Sequence, residues 1–157
     1  MTTTGGFNSK DLLQQESDCT LPHLDLKVAQ DIGAIATQIG LERNYGIEIS
    51  IRFGDWEVFK VAMPGSKQES DGWINRKANV VNLTKHSTMY ERVKSEEDGV
   101  DWHELNGIKD ETHAIHGGGF PLYVKEDGFK GILLISGLPQ VEDHELAVEI
   151  LQVFLNR

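Results

Sequence analysis

The residues with the most chemistry in this chain are grouped in two signatures, His113-Ala-Ile-His116-Gly117-Gly118-Gly119-Phe-Pro121 and Ser136-Gly-Leu-Pro-Gln-Val-Glu-Asp143-His144. They flank one apolar run, and both read as constrained corners of a site. Three successive glycines allow positive φ and close approach of another group, and they serve equally well for a bulge or for tight packing of a helix on a sheet. His-Gly-Gly-Gly is also how some hydrolases spell an oxyanion hole. That chemistry needs a Gly-x-Ser-x-Gly elbow, which this sequence lacks, so the hydrolase reading fails. The glycine spacing matches neither a dinucleotide-binding turn nor a Walker loop.

His113 and His116 are three apart, a spacing that puts them on opposite faces of a strand, where they would not chelate one ion. No Cys-x-x-Cys or His-Glu-x-x-His accompanies them, so no metal site is expected from local spacing, although His86 or His144 could converge from a distance. Taken singly, each histidine is also explained as a hydrogen-bonding residue near a helix end or sheet edge. His144 follows Glu142 and Asp143, two carboxylates that suit the positive end of a helix. Trp73, Arg76 and Lys77 open another helix. An aromatic ring beside two cations can clamp a carboxylate, a phosphate or a flat ring, and it can equally be a packed tryptophan with solvated bases. Ser136 has no base beside it, so capping or a backbone hydrogen bond explains it better than nucleophilic attack.

The elements that must position these residues follow from periodicity. Asn8 to Cys19 reads as a short helix. From Pro22, Leu24, Val28, Ile32, Ile35, Ala36 and Ile39 mark a long amphipathic helix ending at Gly40 or Asn44. Ile47, Ile49, Ile51 and Phe53 alternate with polar residues, and Gly54-Asp55 turns the chain into Trp56 to Met63 as a hairpin. Asp71 can cap a helical region that breaks near Asn82-Leu83-Thr84, and the charged stretch from Lys94 to Asp101 reads as an exposed loop. Thr112 to Val124 and Phe129 to Ser136 form a second pair of strands, followed by a terminal helix striped by Leu146, Ala147, Ile150, Leu151 and Phe154. The order α-β-β-α-β-β-α predicts an α+β fold with an antiparallel sheet.

At 157 residues the chain fits one domain, 8–157, behind a flexible N-terminus, 1–7. The net charge of −10 sets it against nucleic acid and anionic membranes. The single cysteine, Cys19, excludes an internal disulfide, and no apolar run approaches the roughly 20 residues of a membrane helix. A cytoplasmic location is expected, because Met1 to Lys10 lacks the apolar stretch of a signal peptide.

Taken together, Trp73-Ile-x-Arg76-Lys77, His86-Ser87 with Tyr90, Ala114-x-His116-Gly-Gly-Gly119-Phe-Pro and Ser136-Gly-Leu-Pro-Gln-x-Glu-Asp143-His144 resemble the haem-degrading-domain superfamily. The match is to a small cytoplasmic branch related to the GlcG/HbpS group and runs over residues 8–157. The resemblance implies a profilin-like or PAS-like antiparallel sheet packed with helices, assembled into homo-oligomers, with haem as a possible cofactor. The expected function is a ligand-binding module for an anionic small molecule or haem-like ring, at a site built from Trp73, Arg76, Lys77, His86, His116, Gly117, Gly118, Gly119, Ser136, Asp143 and His144. An interaction protein without a small ligand is the alternative. A haem-degrading enzyme is third, since no catalytic motif is recognisable.

Overall fold

The computed structural model describes residues 4–157, with α1 (Ser9–Asp18), α2 (Leu26–Glu42), β1 (Glu48–Phe53), β2 (Trp56–Ala62), α3 (Ser70–Thr84), α4 (Thr88–Glu97), α5 (Trp102–Asn106), β3 (Gly119–Val124), β4 (Gly128–Ser136) and α6 (Gln140–Leu155). The four strands form one antiparallel sheet in the order β2-β1-β4-β3, giving the expected α+β architecture. Of the N-terminal segment 1–7, residues 1–3 lie outside the described residues. Phe7 rests edge-on against the His144 ring, with centroids 5.3 Å apart.

Helices cover both faces of the sheet. On one face, Ile32 and Ala36 of α2 and Ala147, Ile150 and Leu151 of α6 bury Ile49, Ile51, Leu133 and Ile135. On the other, Ile74, Ala78 and Val81 of α3 cover Ile132 and Leu134. Successive β4 residues therefore alternate between two cores, which is why the strand is apolar throughout.

Three features differ from the sequence expectations. The segment 112–118 is not strand, and β3 begins only at Gly119. Its backbone partners come from elsewhere: Ala114 N donates to Arg76 O, and Ile115 O accepts from Arg92 Nε at 2.7 Å. With α3 and α4 satisfying these groups, no sheet ladder is required. The opposite-face argument for His113 and His116 loses its basis accordingly. The expected loop from Lys94 to Asp101 is helical as far as Glu97, and α5 follows, capped by Asp101 and closed by Gly107 at φ 64°. Finally, the apolar residues that follow the glycine run, Phe120, Leu122 and Tyr123, suggest a subunit contact by their type, but Phe120 and Leu122 are fully buried in the main core and only Tyr123 is partly exposed.

Candidate functional site

The two signatures meet at one end of the sheet. Ile135 N donates to Gly118 O at 2.9 Å, which ties the glycine turn to the end of β4. Just beyond, Gly137 turns the chain into α6, so Ser136 and Asp143 face the turn that carries His116. The helix α3, lying across β3 and β4, brings Trp73 and Lys77 to the same place. These five side chains, from separate parts of the chain, line one cleft of about 230 Å³. Glu69, Ser70 and Gln140 complete it, and none of them was among the expected site residues. The available signal for them was position, because each lies at the start of a helix whose other residues were singled out.

Lys77 forms the base of the cleft. Its Nζ donates to Ile135 O at 2.9 Å and lies 3.4 Å from Asp143 Oδ2, and the two side chains are 3% and 2% exposed. Asp143 Oδ1 accepts from Leu138 N at 3.1 Å. Burial pushes the Asp143 carboxyl up to about 6, against the pull of Lys77, and burial likewise pushes the Lys77 amine down. Desolvation thus drives both partners toward their neutral forms, against their mutual attraction.

The glycines leave room for this arrangement. Gly118 has φ 128°, and a Cβ there would strike Ile135 O and come within 2.8 Å of Lys77 Nζ. A Cβ on Gly117 would collide with Gln140 O and approach the Met89 methyl at 2.7 Å. Gly119 opens β3, where its N–H donates to Thr88 Oγ1 at 3.1 Å.

The cleft wall is aromatic. The His116 ring stands edge-on to Trp73, with centroids 4.8 Å apart, and Arg76 Cζ lies 4.4 Å from the centre of the Trp73 ring on which it stacks. Burial lowers the His116 pKa, as do nearby Arg92 and Lys77, so its imidazole is neutral at pH 7. The helix α6 starts at the cleft with no side-chain cap, directing the positive end of its dipole there.

Of the expected residues, Gly117, Gly118 and Gly119 pack beside this cleft without lining it, and the side chains of Arg76, His144 and His86 sit outside it. Arg76 holds Trp73 from behind while pairing with Asp110, at 2.9 Å to Oδ1 and 2.8 Å to the backbone O. His144 is fully buried: its Nε2 meets Gln15 Oε1 at 2.7 Å, and its Nδ1 has no partner among the described residues. Desolvation pushes this imidazole down to about 4. The His144 ring packs between Phe7 and Phe120.

His86 belongs to a second cleft, of about 440 Å³, lined by Leu13, Tyr123, Val124 and Lys125 among others. Its Nδ1 lies 2.9 Å from Oε1 of the buried Glu16, a residue the sequence did not single out, and Glu16 Oε2 accepts from Ser87 N at 3.0 Å. The Glu16 hydrogen bond raises the His86 pKa.

Fold and cleft together define a two-faced α+β sandwich with a small polar cleft where a glycine turn meets the start of a helix. The chain belongs to the family described as haem degrading protein HbpS-like, whose model matches residues 24–152. A UPF0303 protein of Streptomyces avermitilis is 35% identical over 147 residues, covering 94% of this chain and 90% of that protein. Among solved structures, the Ybr137w protein superposes with a TM-score of 0.88 at 27% identity, covering 96% and 90% of the two chains. A PduOC complex with haem shares the fold with a TM-score of 0.67 at 20% identity, covering 82% and 93%. No helix among the described residues is long and apolar enough to cross a membrane.

The family description raises haem, and the two clefts differ in their fit to it. The Lys77 cleft falls below the roughly 300 Å³ at which pockets for drug-sized ligands begin, and a buried ion pair forms its base, so a tetrapyrrole does not fit. The His86 cleft does fit. A histidine donating Nδ1–H to a carboxylate keeps Nε2 free to ligate, Leu13, Tyr123 and Val124 would supply apolar wall, and Lys125 lines the same cleft and would supply a cation for a propionate.

Proposed function

We propose that the chain is a cytoplasmic, homo-oligomeric module that binds a small acid in the Lys77 cleft. The observation carrying this reading is the convergence of Trp73, Lys77, His116, Ser136 and Asp143 on a single 230 Å³ space at the start of α6. The positive helix end favours an anionic group, and the Trp73–His116 wall provides aromatic surface for the rest of the molecule. Arg76 acts on Trp73 instead of on the ligand. Among the described residues no base is hydrogen-bonded to the Ser136 hydroxyl, which favours binding over hydrolysis.

A second reading, haem or a similar ring held by His86, is supported by the His86–Glu16 pair and by the larger, more apolar cleft around it. Haem would supply redox or gas-binding chemistry there. The chain's own contribution is orientation of the imidazole by Glu16.

Native mass spectrometry of protein purified from its own host tests the proposal. The expected spectrum is a multiple of 17.6 kDa carrying one small additional mass per subunit, lost in Trp73→Ala. Oligomers of bare subunit mass would contradict it and favour an interaction protein without a ligand. A monomer at every dilution would contradict the oligomer.

A further inference from the structure

Lys77 is an unusual choice for a residue that only attracts an acid. Asp143, 3.4 Å away, already balances its charge, so the pair presents little net field to an anion, while the start of α6 supplies that attraction independently. An ammonium group has three donors, and Lys77 uses two among the described residues, on Ile135 O and Asp143. The remaining position belongs to a side chain that is 3% exposed and lines the cleft. Gly118 supports the amine closely, since a Cβ there would lie 2.8 Å from Nζ.

We infer that Lys77 is a covalent capture residue, forming an imine with the carbonyl group of a small oxo acid bound in the cleft. The inference rests on the reading of this cleft as a small-acid site and names the class of acid. The ammonium first passes a proton to the Asp143 carboxylate. The free amine lone pair then forms a C–N bond to the carbonyl carbon, the C=O π electrons move to oxygen, and a proton passes from the new C–N nitrogen to that oxygen to give a neutral carbinolamine. Return of the Asp143 proton to the hydroxyl lets the C–O bond break, and water leaves a protonated imine. One water is released, the positive charge is retained and no oxidant or reductant is consumed. The burial that lowers the Lys77 pKa and raises that of Asp143 makes the initial proton transfer cheap. His116, neutral and in the same cleft, is available to the departing hydroxyl.

Pyruvate followed by sodium borohydride is the probe, because reduction converts the imine to a stable carboxyethyl amine. Intact mass should show one added carboxyethyl group per chain, and peptide mapping should locate it at Lys77. Asp143→Asn, close in shape, should slow labelling at least about tenfold, and Lys77→Met should abolish it. Thermal stabilisation by pyruvate is read in parallel. Stabilisation without an adduct at Lys77 would overturn the covalent step and leave the cleft reading standing. Neither stabilisation nor adduct would contradict both. Labelling spread evenly over the exposed lysines would also overturn the inference, since no variant is needed to see it.

Discussion

Asp143 and His144 are neighbours in sequence, both buried in the first turns of α6, yet burial moves their proton affinities in opposite directions. The carboxyl rises from 3.8 to about 6, and the imidazole falls from 6.5 to about 4. Asp143 faces the cleft and Lys77, whereas His144 faces Gln15 and two aromatic rings.

This gives a signed pH prediction. Between pH 6 and 4 folded Asp143 holds a proton that the unfolded chain releases, so its contribution to stability grows as pH falls. Folded His144 lacks a proton that the unfolded chain takes up below 6.5, so its contribution is lost as pH falls toward 4. Each amounts to about 3 kcal/mol across the window. Relative to wild type, His144→Gln should gain stability on acidification from pH 6.5 to 4, and Asp143→Asn should lose it, as read by urea denaturation at several pH values. Parallel curves for all three proteins would contradict the assignment.

Gly118→Val should be more damaging than an ordinary surface change. Its φ of 128° disfavours any side chain, and the new Cβ would meet both Ile135 O and Lys77 Nζ. A loss of about 2–4 kcal/mol in chemical denaturation is expected. A near-neutral effect would mean that the turn opens easily and does not hold Lys77.

Arg76→Ala separates binding from folding. Its half-exposed partner Asp110 and its stacking on Trp73 make the stability cost about 1 kcal/mol. Freeing the indole should still weaken ligand retention in native mass spectra. A larger stability loss with unchanged retention would make Arg76 purely structural.

Haemin titration separates His86, the proposed haem ligand, from His116 in the smaller cleft. A sharp Soret band should weaken in His86→Ala and in Glu16→Gln, which leaves the imidazole unoriented, and should persist in His116→Ala. Identical spectra for all of them would exclude axial ligation at His86.

Much of this architecture was legible in the sequence. The 3–4 spacing of α2 and α6, the Ile47–Phe53 alternation and the doubly apolar β4 reflect burial on particular faces, and burial leaves a periodic trace. The helix α5 is too short to show a period. Its signal was instead Asp101 with Glu104 three residues on and Gly107 after the end, the marks of a capped helix. The segment 112–118 was mistaken for strand because its apolar residues satisfy their backbone groups through Arg76 and Arg92, which no local pattern reveals. For the site, residue type singled out Trp73, Lys77, His116, Ser136 and Asp143. It also suggested His86 and His144, and only the fold separates them, one into a different cleft and one into the core. Glu16 left no trace, since a glutamate in a polar helix looks solvated until a histidine from another helix reaches it.

The cleft itself is tested most directly by following backbone and indole N–H resonances during titration with pyruvate. Saturable shifts confined to the Trp73 indole, Gly118, Gly137, Leu138 and Gln140 are expected, with the region around His86 unchanged. Shifts centred on the His86 cleft, or scattered without saturation, would contradict a small-acid site at Lys77.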